Sequence, residues 1–135
     1  MRTHLEFVST CFAPVPQEDE QVNPGSSGKR LAEFLSRELQ HRGFAVVGIN
    51  AEDWGWRIDL EHSAFPLWIG RGSYPEYQNG FLCFIEPSQP FFRKFLRKIS
   101  TIEVVDRLAA TLQSIFEQSG KVSQMRWWRE DEIAH

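Results

Sequence analysis

Trp54-Gly55-Trp56-Arg57-Ile58-Asp59-Leu60 alternates large apolar side chains with glycine, arginine and aspartate. A period of two over this stretch predicts a strand with one buried face, and it places Trp54 and Trp56 together in the core. Glu52-Asp53 supplies the turn before it, and Phe44-Ala45-Val46-Val47-Gly48-Ile49 the preceding strand. Beyond it, Phe65-Pro66-Leu67-Trp68-Ile69-Gly70 reads as a further strand, and Asn79-Gly80 is a strong tight-turn signal into Phe81-Leu82-Cys83-Phe84-Ile85-Glu86. Neighbouring strands joined by turns predict an antiparallel meander.

Working outward, Leu5 and Phe7 alternate with His4 and Glu6 in a first strand. Residues 10–28 form a long loop rich in proline and glycine, with Glu18-Asp19-Glu20 inside it. Ser26 or Ser27 caps a helix carrying Leu31, Ala32, Phe34, Leu35 and Leu39, and Gly43 supplies its left-handed stop. After Pro87 and Pro90, the residues Phe91, Phe92, Phe95, Leu96 and Ile99 fit one helical face and Arg93, Lys94, Arg97 and Lys98 the other. This predicts a short basic amphipathic helix. Ser100 and Glu103 make a capping box for a longer helix ending near Gly120. Residues 122–128 add a last strand, and the polar end, 129–135, is expected to fray. The order predicts one α+β domain over residues 1–135: a two-layer sandwich, with an antiparallel sheet of about five or six strands and two or three helices on one face.

Hydrophobic residues make up 41% of the chain and aromatic residues 13%, so its core is expected to be built on rings. A net charge of -3 argues against nucleic acid, whose phosphates call for a positive field. The chain opens without an apolar leader and has no run near the ~20 apolar residues that a spanning helix requires, which predicts a cytoplasmic protein with no membrane span. Cys11 and Cys83 have no partner at metal-ligand spacing, and His4, His41, His62 and His135 are scattered. No metal or cofactor is therefore expected. No Gly-x-Ser-x-Gly elbow is present, and Gly70-Arg71-Gly72-Ser73 lacks the lysine and the following helix of a phosphate loop.

Three segments, Glu52-Asp53-Trp54-Gly55-Trp56, Leu67-Trp68-Ile69-Gly70 and Gly80-Phe81-Leu82-Cys83-Phe84-Ile85-Glu86-Pro87, resemble a group of small bacterial proteins of unassigned function. The resemblance spans most of the chain and implies a bacterial origin. It brings no activity or site residue with it.

A sheet covered on one face leaves half of each strand's side chains toward water, yet rings occur at both parities of these strands. That surplus points to a non-enzymatic protein-binding module, adaptor or immunity-like. Its contacts are expected at Trp68, Arg71, Tyr74 and Tyr77, which border turns, with the acidic loop at residues 17–21 assisting. A homodimer would bury the same surface. The alternative is a small hydrolase or a ligand- or metal-binding protein, in which Glu52, Asp53 and Glu86 converge on a pocket with Trp54, Trp56 and Arg71. Trp127 and Trp128 are adjacent in a strand, so one enters the core and the other faces outward.

Overall fold

The computed structural model of the protein describes residues 1–11, 29–73 and 80–133. The strands are β1 (Arg2–Val8), β2 (Val46–Glu52), β3 (Gly55–Leu60), β4 (Leu67–Ser73), β5 (Gly80–Glu86), β6 (Phe91–Lys94), β7 (Arg97–Ser100) and β8 (Ser123–Arg129). The helices among these residues are α1 (Lys29–His41) and α2 (Ile102–Ser119), and Glu130–Glu132 forms a 3₁₀ turn. Six strands make one antiparallel sheet in the order β2-β3-β4-β5-β1-β8, while β6 and β7 pair by themselves. The fold is α+β. Its meander from β2 to β5 follows from the short connections, and β1 closes the gap between β5 and β8.

Alternation along each strand sorts the side chains. Leu5 and Phe7, Trp56, Ile58 and Leu60, Leu67 and Ile69, and Phe81, Cys83 and Ile85 are all buried. They share one core cluster with Leu31, Leu35 and Leu39 of α1 and Val105, Leu108, Leu112, Ile115 and Phe116 of α2. Both helices bring this face because their apolar residues recur at three- and four-residue spacing. Phe7 is the aromatic centre, with its ring centroid 4.7 Å from Phe116 and 5.6 Å from Phe81. Truncating such a side chain costs about 3–5 kcal/mol. Trp127 joins the helix side, its Nε1 donating to Gln113 Oε1 at 2.7 Å, while Trp128 faces the other way.

The segment read as a basic helix is a hairpin instead. Phe91 stands opposite Ser100, Phe92 opposite Ile99, Arg93 opposite Lys98 and Lys94 opposite Arg97, leaving Phe95 and Leu96 as the tip. Apolar pairs separated by two cations fit a helical face and a hairpin of this register equally well. The capping box is also replaced. Thr101 is the N-cap without a side-chain cap, and its hydroxyl donates to the Gln89 carbonyl across the hairpin base. Helix α2 does end at Gly120, in the left-handed region at φ 67°. The expected caps of α1 at Ser26 and Ser27 lie outside the described residues.

Trp54 and Trp56 do not form a core pair. Asp53 and Trp54 make the turn, and Glu52 is the last residue of β2, opposite Gly55. Trp56 is buried, whereas Trp54 is 39% exposed and lies on the face away from the helices. The turn depends on Gly55, which has φ +151° and whose added Cβ would sit 2.0 Å from the Arg71 carbonyl oxygen. Gly55→Ala is therefore expected to destabilise the protein by about 2 kcal/mol or more, seen as a lower urea midpoint at unchanged m-value.

Candidate functional site

Opposite the helices, the sheet carries a row of side chains in register across all six strands. Asn50, Arg57, Gly70, Phe84, His4 and Trp128 stand opposite one another in succession from β2 to β8. Directly paired positions share a face, so this row is fixed by backbone pairing alone. Gly70 gives it its shape. A Cβ there would fall 2.2 Å from the tip of the Phe84 ring, so the ring lies over the glycine backbone.

Around Phe84 the aromatic residues converge. Trp54 is 5.4 Å and Trp68 5.7 Å from it, centroid to centroid, and these two tryptophans are 5.9 Å apart. His4 stacks on the other side at 5.5 Å and 13° between planes. Cations cover both ends. Arg57 lies 4.2 Å above the Trp68 ring, and Arg126 4.0 Å above Trp128. Arg57 also bonds Asp59 Oδ1 through Nε at 2.8 Å, and Asn50 Nδ2 donates to Asp59 Oδ2 at 2.9 Å, which holds the guanidinium over the indole. The result is a band of π faces and guanidinium groups, half-exposed except at His4, which its neighbours bury. No helix among the described residues packs over it.

Trp68, near the start of β4, lies in this band. Arg71 does not. It is fully buried on the helix side, because residues 67, 69 and 71 share one parity of β4, and its guanidinium lies 4.5 Å from the Phe81 ring centroid. Strand alternation outweighs the preference of arginine for water. Tyr74, Tyr77 and the acidic loop at residues 17–21 lie outside the described residues.

The carboxylates are kept apart by register. Glu52 and Asp53 sit beside the end of β3 that meets Arg71, whereas Glu86 stands opposite Trp68 at the far end of β5. Three strand spacings, roughly 14 Å, and several residues along the sheet separate them. Among the described residues no group of three His, Cys, Asp or Glu side chains is arranged to hold a metal ion. The Cys83 thiol is fully buried, and that burial pushes its pKa up to about 12 against the opposing charge of Arg71. It remains protonated at neutral pH, which removes it as a nucleophile.

His4, Arg57, Gly70, Phe84, Trp128 and Arg126 escaped the sequence reading as members of one surface. Their parity was available, but the strand order that aligns them was not. No protein-family model matches the chain, and comparison with curated proteins and with solved structures gives no significant match.

Two outcomes follow from this geometry. Gly70→Ala is expected to displace Phe84, cost about 1–3 kcal/mol and alter the near-ultraviolet circular dichroism of the Trp54–Trp68 pair. Burial raises the pKa of the Glu86 carboxyl, with Glu130 adding to the shift and hydrogen bonds from Ser88 opposing it. The folded state thus holds this proton more tightly than the unfolded chain does. Its contribution to stability is full below the unfolded carboxyl pKa and declines as pH rises through the folded one. Glu86→Gln should remove that decline, as measured by urea midpoints across the carboxylate range.

Proposed function

We propose that this chain is a non-enzymatic protein-binding module, an adaptor or immunity-like protein, that seats its partner on the open face of the sheet. The reading takes the fold as a two-layer sandwich whose helices complete one face and whose partner completes the other. One observation carries it: an unbroken cross-strand row with Phe84 at its centre, walled by Trp54 and Trp68 and flanked by Arg57 and Arg126. Aromatic and arginine side chains supply most of the energy in protein interfaces, and here they are held before any partner arrives.

The neighbouring polar groups suit a rim. Asp59, Glu6 and Glu86 border the rings, so a partner must match apolar surface at the centre and both signs of charge around it. Side chains already locked by stacking lose little freedom on association.

The test is capture of partners from lysate of the source cell on immobilised protein, against Trp68→Ala and Arg126→Ala controls. A stoichiometric partner whose affinity falls at least about 30-fold in Trp68→Ala, with both controls still folded by far-ultraviolet circular dichroism at the capture temperature, is the expected result. Partners retained equally by both variants would remove this face as the interface. Sedimentation velocity on the same samples identifies a second copy of the chain as the occupant if the wild type dimerises and Trp68→Ala does not.

A further inference from the structure

We propose that the hairpin of β6 and β7 is a peripheral membrane anchor that inserts its tip into the surface of an anionic bilayer. Phe95 and Leu96, the two tip residues, are 93% and 101% exposed. Turn geometry does not select them. Phe95 has φ 58°, a region that glycine or asparagine occupies with least strain and a bulky ring does not. The chain therefore places the most exposed apolar pair among the described residues at a position where local folding favours small polar residues.

Four cations lie directly behind the tip. Arg93 faces Lys98 across the hairpin, and Lys94 faces Arg97. Like charges placed directly opposite each other destabilise a strand pair, and none of the four is in an ion pair among the described residues. The pairs occupy opposite faces of the ribbon, because consecutive residues alternate. Cations thus surround the tip on both sides. A one-sided protein groove would use one pair, whereas a wedge entering a lipid surface meets phosphates all around it.

The base is built to hold the tip outward. Phe92 and Ile99 pack against the core cluster, Phe92 lies 5.8 Å from Phe65, and the Thr101 amide donates to the Pro90 carbonyl at 2.9 Å. An open groove of about 590 Å³ beside the hairpin, lined by His62, Phe65, Phe92 and Phe95 among others, extends the apolar surface from the tip toward the base. Electrostatics would also set the orientation. Outside these four cations the chain has eleven lysines and arginines against 18 carboxylates, so an anionic surface attracts the hairpin and repels the rest. Phenylalanine and leucine would enter the headgroup and acyl boundary, with the basic side chains extended to the phosphates.

Flotation of the full chain with vesicles tests this, using phosphatidylcholine alone or with about 30% phosphatidylserine at about 0.1 M salt. Binding to the serine-containing vesicles, its loss in about 0.5 M salt and little binding to phosphatidylcholine are expected. F95S/L96S should lower the partition coefficient about tenfold or more, and K94A/R97A about 25-fold, from roughly fivefold per cation. Both pairs are exposed, so both variants should melt within a few degrees of the wild type. No binding to anionic vesicles, or equal binding by F95S/L96S, would overturn the proposal. So would hairpin variants that bind vesicles normally but lose a captured protein, which would assign the tip to a partner's acidic-rimmed pocket.

Discussion

Leu67, Ile69 and Arg71 point toward the helices and Trp68 and Gly70 point away, and this alternation, repeated in register across six strands, is the constraint on which everything else rests. The two helices among the described residues, α1 and α2, share one core cluster with the inward parity of the strands. The core cluster takes its rings from Phe7, Phe81, Phe116, Trp56 and Phe65, with Trp127 packed against it, while Trp54, Trp68, Trp128 and Phe84 fall on the opposite face. The same pairing that buries Ile58, Ile69 and Ile85 therefore aligns Arg57, Gly70 and Phe84 behind them. A one-residue slip in β4 would exchange Arg71 with Gly70 and dismantle both faces together.

Once the faces are separated, local detail decides what the outer one presents. A glycine inside a strand weakens it, and here the loss makes room for a ring. Phe84 settles onto the Gly70 backbone, which lowers it enough for Trp54, Trp68 and His4 to pack around its perimeter. Stacking contributes about 0.5–1.5 kcal/mol per pair beyond buried area, so the cluster offsets part of the cost of the glycine while leaving its outer surface free. The salt bridge from Arg57 to Asp59 is about a third exposed and adds little stability by itself. Its effect is geometric, since it fixes the guanidinium over Trp68.

The meander, both helices and the opposed directions of Trp127 and Trp128 were legible in the sequence, because each depends on periodicity or on a turn residue a few positions away. Three readings failed for related reasons. Residues 91–99 carry apolar pairs flanking two cations on each side, a spacing that does not separate helix from hairpin. Arg71 was expected at the surface because it borders a turn, although its parity with Ile69 already put it inside. Trp54 was paired with Trp56 by counting through Gly55, where the positive φ breaks the count. The cross-strand row was beyond reach for another reason: its members come from positions 4 to 128, and only the strand order brings them into line.

Places where a local rule is broken are the most informative positions of such a chain, since a fold keeps them only when the surroundings hold them. Gly70 weakens a strand and Phe95 occupies a strained turn, and both end in exposed aromatic surface. Arg71 differs, because its break of the rule leads inward, to Phe81 and Cys83, and presents nothing to a partner. The two exposed surfaces also differ in chemistry. Rings and paired charges across the sheet suit a surface of matching shape and mixed sign, whereas a bare apolar tip within cations that make no ion pair among the described residues suits a soft anionic medium. They share no residue, and the hairpin is rooted in the core cluster through Phe92 and Ile99, the layer opposite the aromatic row.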